Sequence, residues 1–240
     1  MALSGLFVGS AATSWGETRE ALQLELRPKP EAPSGSFWLK KRFLSPSRDR
    51  SRQADPQSES FAALNPFQTI PLLELDDGTI LGETIAICRY IEEFYPAEPN
   101  LFGFTPLERA TVEMWQLRAE WHLLMPIAQV LRRTHPHMAA MEQPQIVEWA
   151  AANRPRALRN LEIFGRTLAD RDYLAGDRFT VTDITAFVSL DFTKPARIAI
   201  APELVNLFRW RMRLAAHPRL PASGLAIQLQ TRTPPRHQHR

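Results

Sequence analysis

Cysteine is almost missing from this chain, with one residue, Cys88, in 240. A single thiol excludes an internal disulfide framework and fits a reducing compartment, the cytoplasm. No apolar run reaches the roughly 18–20 residues that span a bilayer, so no membrane partner is expected. The opening MALSGLFVGSAATSWGE is weakly apolar but lacks the basic stretch that starts a secretory signal. A glycine-rich phosphate loop, a pair of catalytic carboxylates and a Ser/His/Asp set are all missing, and no segment repeats. An excess of one charge is missing too. Residues 1–60 hold nine Lys/Arg against seven Asp/Glu, and residues 61–240 hold twenty against nineteen, with Arg232, Arg236 and Arg240 in the tail. The folded part is therefore near neutral. That argues against a nucleic-acid partner, which needs a clustered basic face.

What is present suits a globular chain of one large or two modest domains, with 44% hydrophobic and 23% charged residues. The informative stretch is Asn65 to Tyr95, NPFQTIPLLELDDGTILGETIAICRYIEEFY. Leu72, Leu73 and Leu75 follow Pro71 as a short strand, Asp77-Gly78 supplies a turn, and Thr79-Ile80-Leu81 resumes the strand pattern. Beyond Gly82 the period changes to that of a helix, through Ile87/Cys88, Ile91 and Phe94/Tyr95. Ile70-Pro71 precedes the first strand, and an X-Pro bond adopts the cis form at a cost of only about 0.5–1 kcal/mol. Glu83-Thr84 stands at the helix start, beside free backbone N–H groups and the positive end of the helix dipole.

This stretch resembles the second half of the thioredoxin-like, glutathione-binding domain of soluble glutathione transferases. The resemblance implies that Ile70, before a cis-Pro71, bonds the cysteinyl part of glutathione through its main chain, and that Glu83 and Thr84 receive the γ-glutamyl end. It also implies a homodimer, glutathione as co-substrate with no metal, and attack of the glutathione thiolate on a small apolar electrophile. The implied fold is α/β plus all-α, a thioredoxin-like N-terminal domain followed by a helical bundle. A non-catalytic interaction module built on the same fold is the alternative.

The resemblance starts at Phe61. Residues 27–60 read RPKPEAPSGSFWLKKRFLSPSRDRSRQADPQSES, rich in Ser, Pro, Lys and Arg and without period, so residues 1–60 are expected to be irregular or disordered. Leu22, Leu24 and Leu26 alternate as one short strand. A first strand–helix–strand and the Ser, Tyr or Cys that activates the thiol in the family are not recognisable. Ser34 and Ser36 lie near the expected distance before Pro71 but in the wrong context, and the activating residue is left unassigned. Two explanations stay open, a divergent N-terminus and a reading frame that is wrong before about residue 60. The second is favoured.

Residues 61–96 are thus the C-terminal half of the glutathione-binding domain, and Pro96 to Gly103 the linker. An all-helical domain spans 104–220, and 221–240 form a patternless tail. Thr105, Pro106 and Glu108 start a helix with a capping box. Leu107, Ala110, Met114, Leu117, Trp121, Leu124, Ala128 and Leu131 make one long apolar stripe, with a kink at Pro126. Asn153 and Pro155 are expected to open the next helix, with Leu158, Leu161 and Leu168 inward. Thr180 and Asp183 have capping-box spacing and resemble the buried N-capping box of the family's helical domain, a folding element. A last helix opens at Pro202. In the family, the long helix walls the pocket of the second substrate, which nominates Trp115, Arg118, Trp121 and His122. Cys88, mid-helix on the apolar side, is expected to be structural. His135 and His137, like His237 and His239, lack further ligands at metal spacing and read as solvated chain.

Overall fold

The computed structural model describes residues 42–44, 59–69, 71–75, 77–94 and 100–216, the first three by their backbone. The hairpin forms as its pattern requires. Strands β2 (Leu72–Glu74) and β3 (Ile80–Leu81) pair antiparallel, Leu73 opposite Leu81 and Glu74 opposite Ile80. Leu75 N–H donates to Thr79 O at 2.9 Å, and Thr79 N–H donates to Asp77 Oδ1 at 2.9 Å. Gly78 closes the turn at φ +84°, which a residue without Cβ adopts freely. Strand β1 (Arg42–Leu44) pairs antiparallel with the other edge of β2, Phe43 opposite Leu73. A strand therefore lies inside the segment read as irregular. Leu22, Leu24 and Leu26 lie outside the described residues.

Helix α1 (Glu59–Leu64) leads into a turn organised by Asn65. The buried Asn65 amide donates to Thr69 O at 2.8 Å and to Thr69 Oγ1 at 3.1 Å, and its Oδ1 accepts from Phe67 N–H at 3.2 Å. Helix α2 (Thr84–Phe94) lays Ile87 and Ile91 on Leu73, as the period of its apolar residues dictates. Its Glu92 carboxylate accepts from Leu101 and Phe102 N–H at 2.7 and 3.1 Å, which ties the linker back onto the helix.

The helical half opens at α3 (Pro106–Arg118) with the predicted capping box. Thr105 Oγ1 accepts from Glu108 N–H at 3.2 Å, and Glu108 Oε2 accepts from Phe104 and Thr105 N–H and from Arg178. The long apolar stripe does not face inward along its whole length. Leu107 is 77% exposed and Trp121 53%, with Ala110, Met114 and Leu117 exposed between them, while Leu124, Ala128 and Leu131 are buried. The buried face of α3 carries Val112, Trp115 and Gln116 instead. Hydrophobic spacing identifies a stripe but not what covers it, and here five of its eight residues meet solvent.

The kink expected at Pro126 is a π-helical segment, Ala119–Leu124, that runs into α4 (Met125–Thr134). Pro126 has no N–H to reach back to His122 O, and the buried Asn160 donates its side-chain amide to that carbonyl. Helix α5 (Val147–Thr167) is continuous, so Asn153 and Pro155 are interior and do not open it. Asn153 donates to Trp149 O at 2.8 Å. Pro155 frees the carbonyl four residues back at exposed Ala151, where water can serve it. Leu161 and Leu168 are buried as expected, but Leu158 faces outward.

Helices α6 (Val181–Asp191) and α7 (Val205–Ala215) complete the bundle, α7 beginning three residues after Pro202. One core cluster runs through all of it, from Trp115 and Leu123 through Leu161 and Phe164 to Leu190 and Trp210. Among the described residues no helix is long and apolar enough to cross a membrane.

Candidate functional site

Glu83 stands between β3 and α2 with φ +61°, a left-handed conformation that costs a residue with a Cβ roughly 1 kcal/mol or more. Its carbonyl accepts from Ile87 N–H at 3.0 Å, so the strained residue begins the helical ladder, and its side chain is exposed. Thr84 is the first helical residue and half-buried. The first N–H groups of α2 have no intrahelical partner, which leaves donors and the positive end of the dipole beside Glu83 and Thr84. Pro71 lies half-buried at the head of β2. Ile70, and with it the Ile70-Pro71 bond, lies outside the described residues.

Glu120, on the π-helical segment of the helical half, lies within electrostatic reach of this corner. Burial pushes the half-buried Glu120 carboxyl up, and the nearby carboxylates of Glu83 and Glu113 push it further. Arg89 of α2 pairs with Glu113 of α3, and its guanidinium lies over the Phe102 ring, 4.8 Å from the centroid. The corner is thus negatively charged and braced from both halves. Glu113, Gln116 and Glu120 share one helix face at spacings of three and four. Glu108, Arg109, Thr111 and Arg118 on the same helix are polar as well, so nothing in the sequence singles out Glu120.

The residues nominated for the second substrate do not gather there. Trp115 is buried in the core, edge-on to Phe164 at 5.9 Å. Arg118 stacks over the Trp115 ring at 4.7 Å. At about 100° per residue, Arg118 and His122 each project some 160° away from Glu120, on the far side of the helix. Trp121 is exposed beside them.

Cys88 packs near the contact of Phe102, Val112 and Val181 that joins the two halves. Burial, with a smaller push from the charge of Glu92, raises its thiol to about 12, which leaves it protonated and unreactive at neutral pH. A Cys88→Ala variant should therefore keep the catalytic activity of the wild type within about twofold, since only a thiolate would serve as nucleophile. A larger loss in a steady-state assay, with folding unchanged, would assign Cys88 a chemical role.

Thr180 and Asp183 form their box at the head of α6, fully inside the protein. Thr180 N–H and Thr180 Oγ1 donate to Asp183 Oδ2 at 3.0 and 3.1 Å. Asp183 Oδ1 accepts from Leu174 N–H and from Trp210 Nε1, each at 3.0 Å. Burial pushes the Asp183 carboxyl up while these donors pull it down. Trp210, whose tie to Asp183 spans two helices, carried no signal in the sequence.

His135 and His137 lie ring to ring at 5.2 Å, and among the described residues no group of three or more His, Cys, Asp and Glu could hold a metal ion. His237 and His239 lie outside the described residues.

A hairpin backed by a helix, joined through a braced linker to an all-helical bundle, defines a two-domain architecture, thioredoxin-like half first. The family model for the glutathione S-transferase N-terminal domain matches residues 44–93, and that for the glutathione S-transferase C-terminal domain matches residues 123–218. The chain is 34% identical over 167 residues to glutathione S-transferase 2 of Saccharomyces cerevisiae, covering 69% of this chain and 71% of that protein. It is 31% identical to glutathione S-transferase 3 of Zea mays, over 70% of this chain and 76% of the relative. A solved glutathione S-transferase domain-containing protein from Marinobacter aquaeolei superposes with a TM-score of 0.65 at 35% identity, covering 69% of this chain and 81% of its own. The chain belongs to the glutathione S-transferase family. The N-terminal match begins at residue 44, seventeen residues before Phe61, where the sequence resemblance began.

Proposed function

We propose that the protein binds glutathione at the corner made by Pro71, Glu83 and Thr84, with Ile70 supplying main-chain bonds, and transfers its thiolate to a small apolar electrophile. The observation that carries this reading is Glu83, held left-handed beside the free N–H groups of α2, within the stretch that the family's N-terminal model matches. The γ-glutamyl end has both a carboxylate and an ammonium. The N–H groups of α2 suit the carboxylate, and Glu83, with Glu120 nearby, suits the ammonium. Because Arg118 and His122 project away from Glu120, the side of the long helix that carries Glu120 is the wall we assign to the second substrate, in place of those two. The reaction uses glutathione as its only co-substrate, and the lone cysteine fits a cytoplasmic setting. Retention on immobilised glutathione, release by free glutathione, and conjugation of an aryl halide together test the reading. Retention without conjugation would support the non-catalytic module, and no retention would sink both.

The same proposal includes a homodimer. Phe67 is 80% exposed in the turn that the Asn65–Thr69 hydrogen bond closes, and the outer face of α3 and the π-helical segment after it shows Leu107, Met114, Leu117 and Trp121 to solvent. Contiguous apolar surface of this kind marks an interaction site. A twofold contact with a second copy would seat each Phe67 against the other's α3 face, using both features twice. Burying one phenylalanine contributes about 1.5–3 kcal/mol, so Phe67→Glu should weaken the dimer by roughly tenfold or more in sedimentation equilibrium. A dimer as tight as wild type in both Phe67→Glu and Leu117→Glu would remove this interface.

A further inference from the structure

One buried side chain governs the turn that leads from α1 to β2. Asn65 is 8% exposed, and each of its four polar atoms is bonded within four residues. Its N–H donates to Phe61 O at 2.8 Å, which ties the turn to α1, and its carbonyl accepts from Gln68 N–H at 2.8 Å. Its Oδ1 accepts from Phe67 N–H at 3.2 Å, and its amide donates to Thr69 O at 2.8 Å and to Thr69 Oγ1 at 3.1 Å. Among these partners Gln68 stands at φ +51°, a costly conformation for a residue with a Cβ, although its exposed side chain returns little packing. Strain without local return points to a backbone kept for a purpose elsewhere. Thr69 is buried, and two residues beyond it Leu72 and Leu73 are buried in β2. Ile70 and Pro71 thus join two fixed points.

We propose that Asn65 is a positioning residue for glutathione, a role that rests on the main chain of Ile70 bonding the ligand as proposed above. Asn65 acts through the peptide unit that joins Thr69 to Ile70. In a planar trans peptide the carbonyl of one residue and the N–H of the next point in opposite directions. The bond from the Asn65 amide to Thr69 O therefore also sets the direction of Ile70 N–H, on the other side of the same plane. Of the bonds made by the Asn65 side chain, this one falls on the peptide whose far end would meet the ligand. A peptide plane left free to rotate must be frozen when glutathione binds, and that ordering is subtracted from the affinity. A plane already held from behind avoids the loss, as a well-supported binding group does. Thr69 Oγ1, bonded to the same amide, leaves the Thr69 side chain with a fixed place in the turn.

Two variants cut this bond and keep the one to Phe67. Asn65→Ser and Asn65→Asp both retain an acceptor for Phe67 N–H, the first without adding a charge. The serine hydroxyl is too short to serve Thr69 O, and the aspartate has no hydrogen to offer it. Thr69→Val is the control, since it loses the hydroxyl contact and keeps the carbonyl bond. The full-length proteins are titrated with glutathione by calorimetry, below the unfolding temperature of each. Affinity should fall about three- to tenfold in both Asn65 variants, the worth of one neutral hydrogen bond, and stay within about twofold of wild type in Thr69→Val. The KM for an aryl halide should not move in any of them. Equal glutathione affinity in wild type and Asn65→Ser would overturn the positioning role. So would a matching rise in the KM for the aryl halide, the mark of a fold loosened throughout. Glu83→Gln, titrated alongside, separates the role of Asn65 from the site itself. If it weakens glutathione while the Asn65 variants do not, the site stands and the role falls. If wild type binds no glutathione, the site falls first.

Discussion

Replacing Asp183 with alanine should remove a large part of the protein's folding stability. The carboxylate is 0% exposed and accepts from Thr180 N–H, Thr180 Oγ1, Leu174 N–H and Trp210 Nε1. Alanine would strand all of these donors in an interior that water does not reach. Each stranded donor costs about 1–3 kcal/mol, so the sum is of order 4 kcal/mol or more, against a total stability of about 5–15 kcal/mol. Asp183→Asn separates the donors in pairs. Its retained oxygen can still serve Leu174 and Trp210, but its amide would point N–H at the N–H of Thr180. It should fall between wild type and alanine. Urea unfolding monitored by tryptophan fluorescence gives the comparison, and a loss below about 1 kcal/mol for alanine would show that the box is a surface cap in energetic terms.

That network also shows where a sequence stops being readable. Thr180 and Asp183 were legible because a capping box is a local pattern, three residues apart. Trp210 was not, since nothing in FRWRM says that an indole will reach a carboxylate 27 positions earlier. The hairpin, α2 and the Thr105–Glu108 box were legible for the same local reason. The outward face of α3 was not, because Leu107 to Trp121 have the spacing of a buried stripe and only the placement of neighbouring helices decides which face is covered. Pro155 was misread as a helix start since it obeys the rule for a first turn. It is tolerated inside α5 because the carbonyl it deprives is on the wet side. Glu120 escaped notice for a different reason. A lone glutamate on a helix is unremarkable until Glu83, nearly forty residues earlier, is brought beside it.

The second large effect belongs to Glu83. Glu83→Gln should weaken glutathione binding by roughly ten- to hundredfold, since a hydrogen bond to a charged group contributes about 1.5–3 kcal/mol. The fold should survive, because the side chain is exposed and its helix starts through the backbone carbonyl. Removing the Glu83 charge also relieves Glu120, whose carboxyl is pushed up by burial first and then by Glu83 and Glu113. A carboxyl with a raised folded-state pKa is stabilising to the native state while protonated, and that contribution is lost as pH rises through the raised value. The variant should therefore lose less stability than wild type between mildly acidic and neutral pH. Glu83→Gly separates strain from chemistry. At φ +61° glycine removes the cost of the left-handed backbone, so this variant should unfold at a higher temperature than wild type and yet bind glutathione as poorly as Glu83→Gln. Stability and affinity moving in opposite directions at one position would mark a residue kept for its ligand. If both substitutions leave the affinity of immobilised glutathione unchanged, the corner at α2 is not the glutathione site.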